Sequence, residues 1–312
     1  MAVQKIYIAD DFHPTLLEGL EALKVPFTYN PSANRTDIIA GFKGEHDMLL
    51  MRSKVSIEKD FLEQVASLKY VGRGGAGMDN IDLPLCESKG IICFNAGEAN
   101  STAVAEHTLG VLLSLLRNIT SADKEVRNKI WLREENRGRE LKSLKIGVIG
   151  YGNTGSSFSK MISNLGCTVL AYDKYKKGFG QGRIKECELA ELFEKADVIS
   201  LHIPLNEETR NWVDSEFILK FKKRIILMNM SRGGIVCLKS VIQELDDCKI
   251  AGFGTDVWEN EKFQTFTDKQ ESTFELAASK KNVIFTPHIA GWTVESYQKI
   301  AEVLLRKIRK LV

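Results

Sequence analysis

Gly150-Tyr-Gly152-Asn-Thr-Gly155 carries the spacing G-x-G-x-x-G. The pattern alone is weak, but its surroundings give it meaning. The apolar run Ile146-Gly-Val-Ile149 precedes it, and a helical stretch from Ser156 to Leu165 follows. Asp173 then closes the next apolar run, Val169-Leu-Ala-Tyr172. In such a strand-turn-helix-strand unit, Gly150 permits the tight turn and Gly152 lets the backbone approach a pyrophosphate. Gly155 permits close packing of helix on strand. Asn153 and Thr154 open the helix, whose first N–H groups can face an anion. Asp173 can accept hydrogen bonds from a ribose and would repel a 2′-phosphate, which favours NAD over NADP. Lys174, Lys176 and Lys177 beside it pull the other way. Gly72-Arg-Gly74-Gly75-Ala-Gly77 satisfies the same pattern but opens no helix. It reads as a backbone loop that comes close to a small ligand.

Three later segments group residues suited to alcohol–carbonyl chemistry: Ser231-Arg232-Gly233-Gly234, Asp256-Val-Trp-Glu-Asn-Glu261 and Thr286-Pro-His288-Ile-Ala-Gly291. Each falls at or after an expected strand end, where open parallel sheets place their ligand crevice. Hydride transfer at a 2-hydroxy or 2-oxo acid needs a cation for the carboxylate. It also needs an acid/base for the hydroxyl proton and a group that tunes that acid/base. An arginine fork grips a carboxylate bidentately, as lysine does not. A carboxylate beside an imidazole stabilises the imidazolium.

Short β-rich runs alternating with amphipathic stretches must position these residues, the grammar of parallel α/β sheets. In the first half, strands are expected near Ile6–Ala9, Met48–Met51, Tyr70–Gly72 and Ile91–Phe94, with helices near Pro14–Leu23, Ile57–Ala66 and Leu83–Ser88. A long helix, Ser101–Arg117, follows. The second series has strands at Lys145–Ile149, Thr168–Tyr172, Val198–Leu201, Ile225–Met228, Ile250–Thr255 and Val283–Phe285. A last amphipathic helix runs from Val294 to about Leu311, and residues 259–281 read as a polar, irregular surface excursion.

The 312 residues suit two domains. Lys+Arg 43 against Asp+Glu 41 leaves a charge of +2, which does not suggest a polyanion partner, so no nucleic acid is expected. The basic positions near the end are the wet face of the last helix. The apolar run Leu109–Leu116 is far short of the roughly 20 residues a membrane span needs, and the start lacks a signal-peptide core. Cysteines 86, 93, 167, 187, 237 and 248 form no C-x-x-C pair. Reduced thiols, no metal and a cytoplasmic location are the expectation.

These motifs together resemble the D-isomer-specific 2-hydroxyacid dehydrogenase family over nearly the whole chain, most closely its D-3-phosphoglycerate dehydrogenase branch. The motifs carrying the resemblance are Val71 to Asp82, Ala105-Glu106, the glycine turn, Arg232, Asp256 to Glu261, and His288. The resemblance implies an α/β protein of two doubly wound parallel-sheet domains, a Rossmann cofactor domain inserted into a flavodoxin-like substrate domain. Residues 1–100 and 292–312 would form the substrate domain and 101–291 the cofactor domain. It also implies NAD as cofactor, a small 2-hydroxy or 2-oxo acid as substrate, and a homodimer formed largely through the cofactor domain.

By the same resemblance, His288 is the proton donor and acceptor, Glu261 its carboxylate partner, and Arg232 the grip on the substrate. Asp256 would meet the nicotinamide carboxamide, and Asn153 and Thr154 the pyrophosphate. Met230, Ser231, Arg232, His288, Ala290 and Gly291 would line the nicotinamide, and the segment His202-Ile203-Pro204 the cofactor. Arg52, Ser53 and Arg73, with Gly74, Gly75 and Ala76, match positions that hold substrate, the arginines its phosphate. Glu259 competes with Glu261 on proximity, but its spacing departs from the family. Thr154, Ile203 and Cys237 depart from frequent family residues; at Ile203 a cofactor hydrogen bond would be lost. His13, His46, His107 and His202 have no partner motif and read as structural. With residue 312 close behind the last helix, no appended regulatory domain is expected. A glyoxylate, hydroxypyruvate or D-lactate-type reductase stands as the near alternative, and a non-catalytic NAD-sensing binding protein as the alternative of another class.

Overall fold

A computed structural model describes residues 3–44 and 46–312. Along the chain run β1 (Ile6–Ile8), α1 (Thr15–Ala22), β2 (Phe27–Tyr29), α2 (Arg35–Gly41), β3 (Met48–Met51), α3 (Lys59–Leu62), β4 (Tyr70–Arg73), α4 (Leu83–Ser88) and β5 (Ile92–Asn95). Next come α5 (Ser101–Leu116), α6 (Ile119–Arg127), β6 (Lys145–Ile149), α7 (Asn153–Asn164), β7 (Thr168–Tyr172), β8 (Ile184–Glu186), α8 (Leu189–Lys195) and β9 (Val198–Leu201). The chain closes with α9 (Ser215–Leu219), β10 (Ile225–Asn229), α10 (Leu238–Asp246), β11 (Ile250–Thr255), α11 (Asp268–Ala278), β12 (Val283–Phe285) and α12 (Val294–Ile308). Two compact units result: Met1–Asn100 with Trp292–Val312, and Ser101–Gly291.

In the first unit the sheet order is β2-β1-β3-β4-β5, all parallel, the flavodoxin-like order. β1 and β3 are buried along their whole length. That is why they read as unbroken apolar runs rather than alternating ones. α12 starts at a reciprocal cap between Thr293 and Ser296. Its stripe of Ile300, Ala301, Leu304 and Ile308 packs into one core with Leu16 and Leu20 of α1. Gly19 makes room for it, since a Cβ there would lie 2.3 Å from Leu305.

In the second unit the order is β12-β11-β10-β9-β6-β7-β8, again all parallel. This is the Rossmann order with a seventh strand added beyond the sixth. The order reverses between β6 and β9, so a ligand crevice is expected beyond Ile149 and Leu201. Phe158 and Ile162 of α7 fill one face of this sheet, and Phe217, Val241 and Leu245 the other.

Some elements depart from the expectation. β2 and β8 are three-residue edge strands, too short and too exposed to show a period. The helix expected over 57–66 shrinks to the single turn α3. The stretch 259–281 is not irregular: it holds α11, capped reciprocally by Thr267 and Gln270. Only Ala277 of α11 is buried, so it shows no apolar stripe. Aromatic contacts fasten it instead. Phe274 lies 5.3 Å from Trp258 and 5.8 Å from Phe285, and Phe263 lies 5.1 Å from Phe274.

Candidate functional site

The glycine turn sits at the switch point of the second sheet. Gly150 has φ +94°, and a Cβ there would meet the His202 carbonyl oxygen at 2.3 Å. A Cβ on Gly155 would lie 1.9 Å from the Gly150 carbonyl oxygen, whereas that of Gly152 would meet nothing within 4 Å. Two glycines are therefore needed for packing inward, and the third keeps the outer approach open. No side chain caps α7 at Gly152, which leaves its first-turn N–H groups for an anion. These residues fit a dinucleotide pyrophosphate.

Asp173 stands at the end of β7. Its carboxylate accepts from Tyr151 N–H (2.6 Å), Tyr175 N–H (2.9 Å) and Lys176 N–H (2.9 Å). Burial would raise this carboxyl, but those N–H groups, led by Lys176, outweigh it and hold the group below its ordinary value. It is thus an ionised acceptor with capacity left for hydroxyl donors. Lys176 Nζ bonds the Tyr151 carbonyl, and the Tyr151 ring stacks on Phe179 at 4.1 Å. The His202 imidazole is buried against Phe158 and bonded to Ser200 Oγ at 2.8 Å. Burial pushes its pKa down to about 4, which keeps the ring neutral. Its carbonyl, not its ring, meets the glycine turn.

At the ends of β10, β11 and β12 the three later segments converge. Asn229, 1% exposed, builds the first turn: its side chain donates to Arg232 O (2.9 Å) and accepts from Ser231 N–H (3.1 Å). Ser231 Oγ donates to Leu201 O at 2.8 Å, and Met230 is buried. Gly233 is required here, because a Cβ would lie 2.0 Å from the Trp258 backbone. Arg232 Nη1 donates to Ser231 O (2.7 Å), and its charge reaches Glu261.

His288 Nδ1 lies 2.9 Å from both oxygens of Glu261. Burial raises the Glu261 carboxyl, but the bond from His288 and its charge, a backbone bond from Trp258 and the charge of Arg232 together bring it below its ordinary value. An ionised carboxylate only accepts, so Nδ1 carries the hydrogen and Nε2 remains to exchange a proton. Glu259 is turned elsewhere: it accepts from Leu238 N–H at the start of α10. His288 has φ +57°, a conformation that costs a non-glycine residue about 1 kcal/mol or more. Asp256, 1% exposed, sustains it. The Asp256 carbonyl accepts from His288 N–H (2.8 Å), and its carboxylate from Ile289 N–H (2.9 Å) and Ala290 N–H (2.7 Å). Asn229, Thr286 and His107 are the residues that sequence reasoning missed here; Thr286, two before His288, was the only one with a positional signal.

In the first unit, Arg52 and Arg73 lie at the ends of neighbouring strands. The Arg52 guanidinium lies 4.2 Å over the Trp292 ring, and the Arg52 backbone N–H donates to Asp10 Oδ2 at 2.6 Å. Ser53 beside it is exposed. The Gly74 and Gly75 N–H groups are spent on Met51 O (2.7 Å) and Arg73 O (3.0 Å). Ala76 beyond them is exposed, and its carbonyl accepts from Asn95 Nδ2 at 2.6 Å. Gly75 has φ +157°, and a Cβ there would meet Arg73 Nη1 at 1.9 Å.

The six thiols are unpaired, and burial pushes Cys93 up to about 12 and Cys187 up to about 11, which leaves both inert. Among the described residues there is no group of three metal-binding side chains and no helix long and apolar enough to cross a membrane.

Two parallel α/β units, one with a glycine turn at its switch point and an imidazole–carboxylate pair beyond its neighbouring strands, define a dinucleotide-dependent dehydrogenase architecture. Residues 109–290 match the family model of the D-isomer specific 2-hydroxyacid dehydrogenase NAD binding domain. The chain is 32% identical over 311 residues to the D-3-phosphoglycerate dehydrogenase of Methanocaldococcus jannaschii, covering 99% of this chain and 57% of that one. It is 33% identical over 266 residues to the hydroxypyruvate reductase of Thermotoga maritima, covering 85% of each. A D-lactate dehydrogenase from Aquifex aeolicus, solved with NAD and lactic acid, superposes with TM-score 0.83 at 27% identity, over 98% of this chain and 94% of that one. The chain therefore belongs to the D-isomer specific 2-hydroxyacid dehydrogenase family. It spans about half the length of the phosphoglycerate dehydrogenases it matches, 47% and 57% for two of them.

Proposed function

We propose that this protein is an NAD-dependent D-2-hydroxyacid dehydrogenase whose substrate is D-3-phosphoglycerate. The observation that carries the reaction class is the His288–Glu261 pair beside Arg232, in the unit that bears the glycine turn. NAD, when bound, supplies the hydride acceptor. The chain's residues do the rest: Arg232 grips the carboxylate, His288 Nε2 takes the hydroxyl proton, and Glu261 holds Nδ1–H and stabilises the imidazolium. In reduction the same proton returns to the carbonyl oxygen. By the family resemblance, Arg52 and Arg73 would hold the phosphate of a phosphorylated substrate.

The test is NADH oxidation against 3-phosphohydroxypyruvate, hydroxypyruvate, glyoxylate and pyruvate, in wild type and in a variant with Arg52→Ala and Arg73→Ala. The variant is expected to lose about 10²-fold or more in kcat/KM for the phosphorylated acid, the size of two lost charge-assisted contacts, and far less for glyoxylate. Equal losses would remove the phosphate assignment. Hydroxypyruvate reductase is the second reading, supported by the 33% identity to the Thermotoga maritima relative over 85% of each chain.

Asp173 is the proposed ribose acceptor. Asp173→Ser is expected to move the NADPH/NADH ratio of kcat/KM toward NADPH by about tenfold, roughly 1.4 kcal/mol of relieved repulsion. An unchanged ratio would count against the assignment. The proposed homodimer has a candidate face around α6, which buries no residue of its own. Ile119, Val126 and Ile130 are exposed nearby, and Trp131 is 79% exposed. Such an apolar patch suits a partner surface. Trp131→Asp is expected to shift sedimentation from dimer toward monomer, and an unchanged profile would exclude this face.

A further inference from the structure

Asp256 is a buried carboxylate, and a buried charge must be met by hydrogen bonds. Beyond the amides of Ile289 and Ala290, the Thr286 hydroxyl donates to its Oδ1 at 2.5 Å. A hydroxyl has one proton. Once that proton is given to Asp256, Thr286 Oγ1 must accept from its other neighbour, His107 Nε2, 2.9 Å away. Nε2 of His107 therefore carries a hydrogen, and it also lies 3.8 Å from Asp256 Oδ1. His107 comes from the middle of α5, 179 residues before Thr286. The chain of contacts thus runs from α5 through Thr286 and Asp256 to the backbone of the three residues that begin with His288.

We propose that His107 and Thr286 are positioning residues: they fix the Asp256 carboxylate, and through it the left-handed turn that aims the His288 imidazole. The proposal rests on the reading of His288 as the acid/base. Without the strut, Asp256 Oδ1 keeps only the Ile289 amide, and the carboxylate is held less firmly. The acceptor of the Ile289 and Ala290 amides is then less rigidly placed, and the strained backbone of His288 has less to hold it. A displacement of about 1 Å at a reacting group can cost about 10²-fold in rate.

The experiment compares Thr286→Val, which removes the hydroxyl at nearly the same volume, Thr286→Ser, which keeps it, and His107→Leu, which removes the donor. Amide hydrogen exchange at Ile289 and Ala290 is measured against the β6 amides, which report whole-unit stability. Turnover is measured with NADH and hydroxypyruvate, and NADH affinity by fluorescence. Thr286→Val and His107→Leu are expected to speed exchange at 289 and 290 by about tenfold with β6 unchanged. They should lower kcat by about 10- to 100-fold, with KM for hydroxypyruvate and NADH affinity within about twofold. Thr286→Ser should stay near wild type in all readouts. Unchanged exchange in Thr286→Val, equal damage from Val and Ser, or faster exchange with unchanged kcat would each overturn the proposal. His288→Gln runs alongside: wild-type turnover in that variant would sink the acid/base reading itself, a failure the exchange measurement does not share.

Discussion

His288→Gln is expected to lower kcat by about 10²–10⁴-fold, the usual worth of a positioned acid/base, while NADH affinity stays within about twofold. Glutamine keeps an amide able to bond Glu261, so the turn is retained and the loss isolates proton transfer. Unchanged turnover would overturn the role. Reduction consumes the Nε2 proton of His288. On the acid side, Glu261 is held below its ordinary value. Its contribution to ordering His288 is complete above the ordinary glutamate range and is lost only as pH falls through the lowered value. The imidazole–carboxylate pair should therefore outlast ordinary glutamates on acidification. Loss of reductase activity already within the ordinary glutamate range on acidification would count against that ordering.

Arg232→Lys should be nearly as damaging, with about a 10²-fold or greater loss in kcat/KM for the oxo acid. Charge is preserved, so a large loss would show that the planar fork, rather than the charge, does the gripping. The backbone around Arg232 is unusually determined. Asn229 bonds both sides of the turn, and Gly233 presses on the Trp258 backbone. A lysine ammonium would start from the same Cα but could not make two parallel bonds to one carboxylate. Wild-type kcat/KM for Arg232→Lys would reduce the residue to a source of positive potential.

Much of the architecture was legible because both sheets are covered on two faces. Strands buried on both sides, such as Met48–Met51 and Ile225–Asn229, appear as continuous apolar runs. The glycine turn was legible because each glycine answers a steric demand: a carbonyl oxygen at 2.3 Å for Gly150 and at 1.9 Å for Gly155. Elements that bury little stayed invisible. β2 and β8 are edges, and α11 buries one residue, so no period betrayed them. The reciprocal cap at Thr267 and Gln270 was the available signal for α11, a local hydrogen-bond device that needs no core.

Motif spacing sufficed to choose the chemical groups, because turn glycines, an arginine fork and an imidazole are defined by residue type and near neighbours. It did not suffice to choose between Glu259 and Glu261. Two residues apart on an irregular segment, they are separated by where each carboxylate points: one lies at the start of α10, the other on His288. Nor could spacing reveal that Asp256 faces inward, holding the backbone of residues 288–290, or that His107 reaches it through Thr286. Those contacts join segments far apart in the chain. Their geometry is set by how α5 and three strand ends pack together, and no local pattern of residues encodes it.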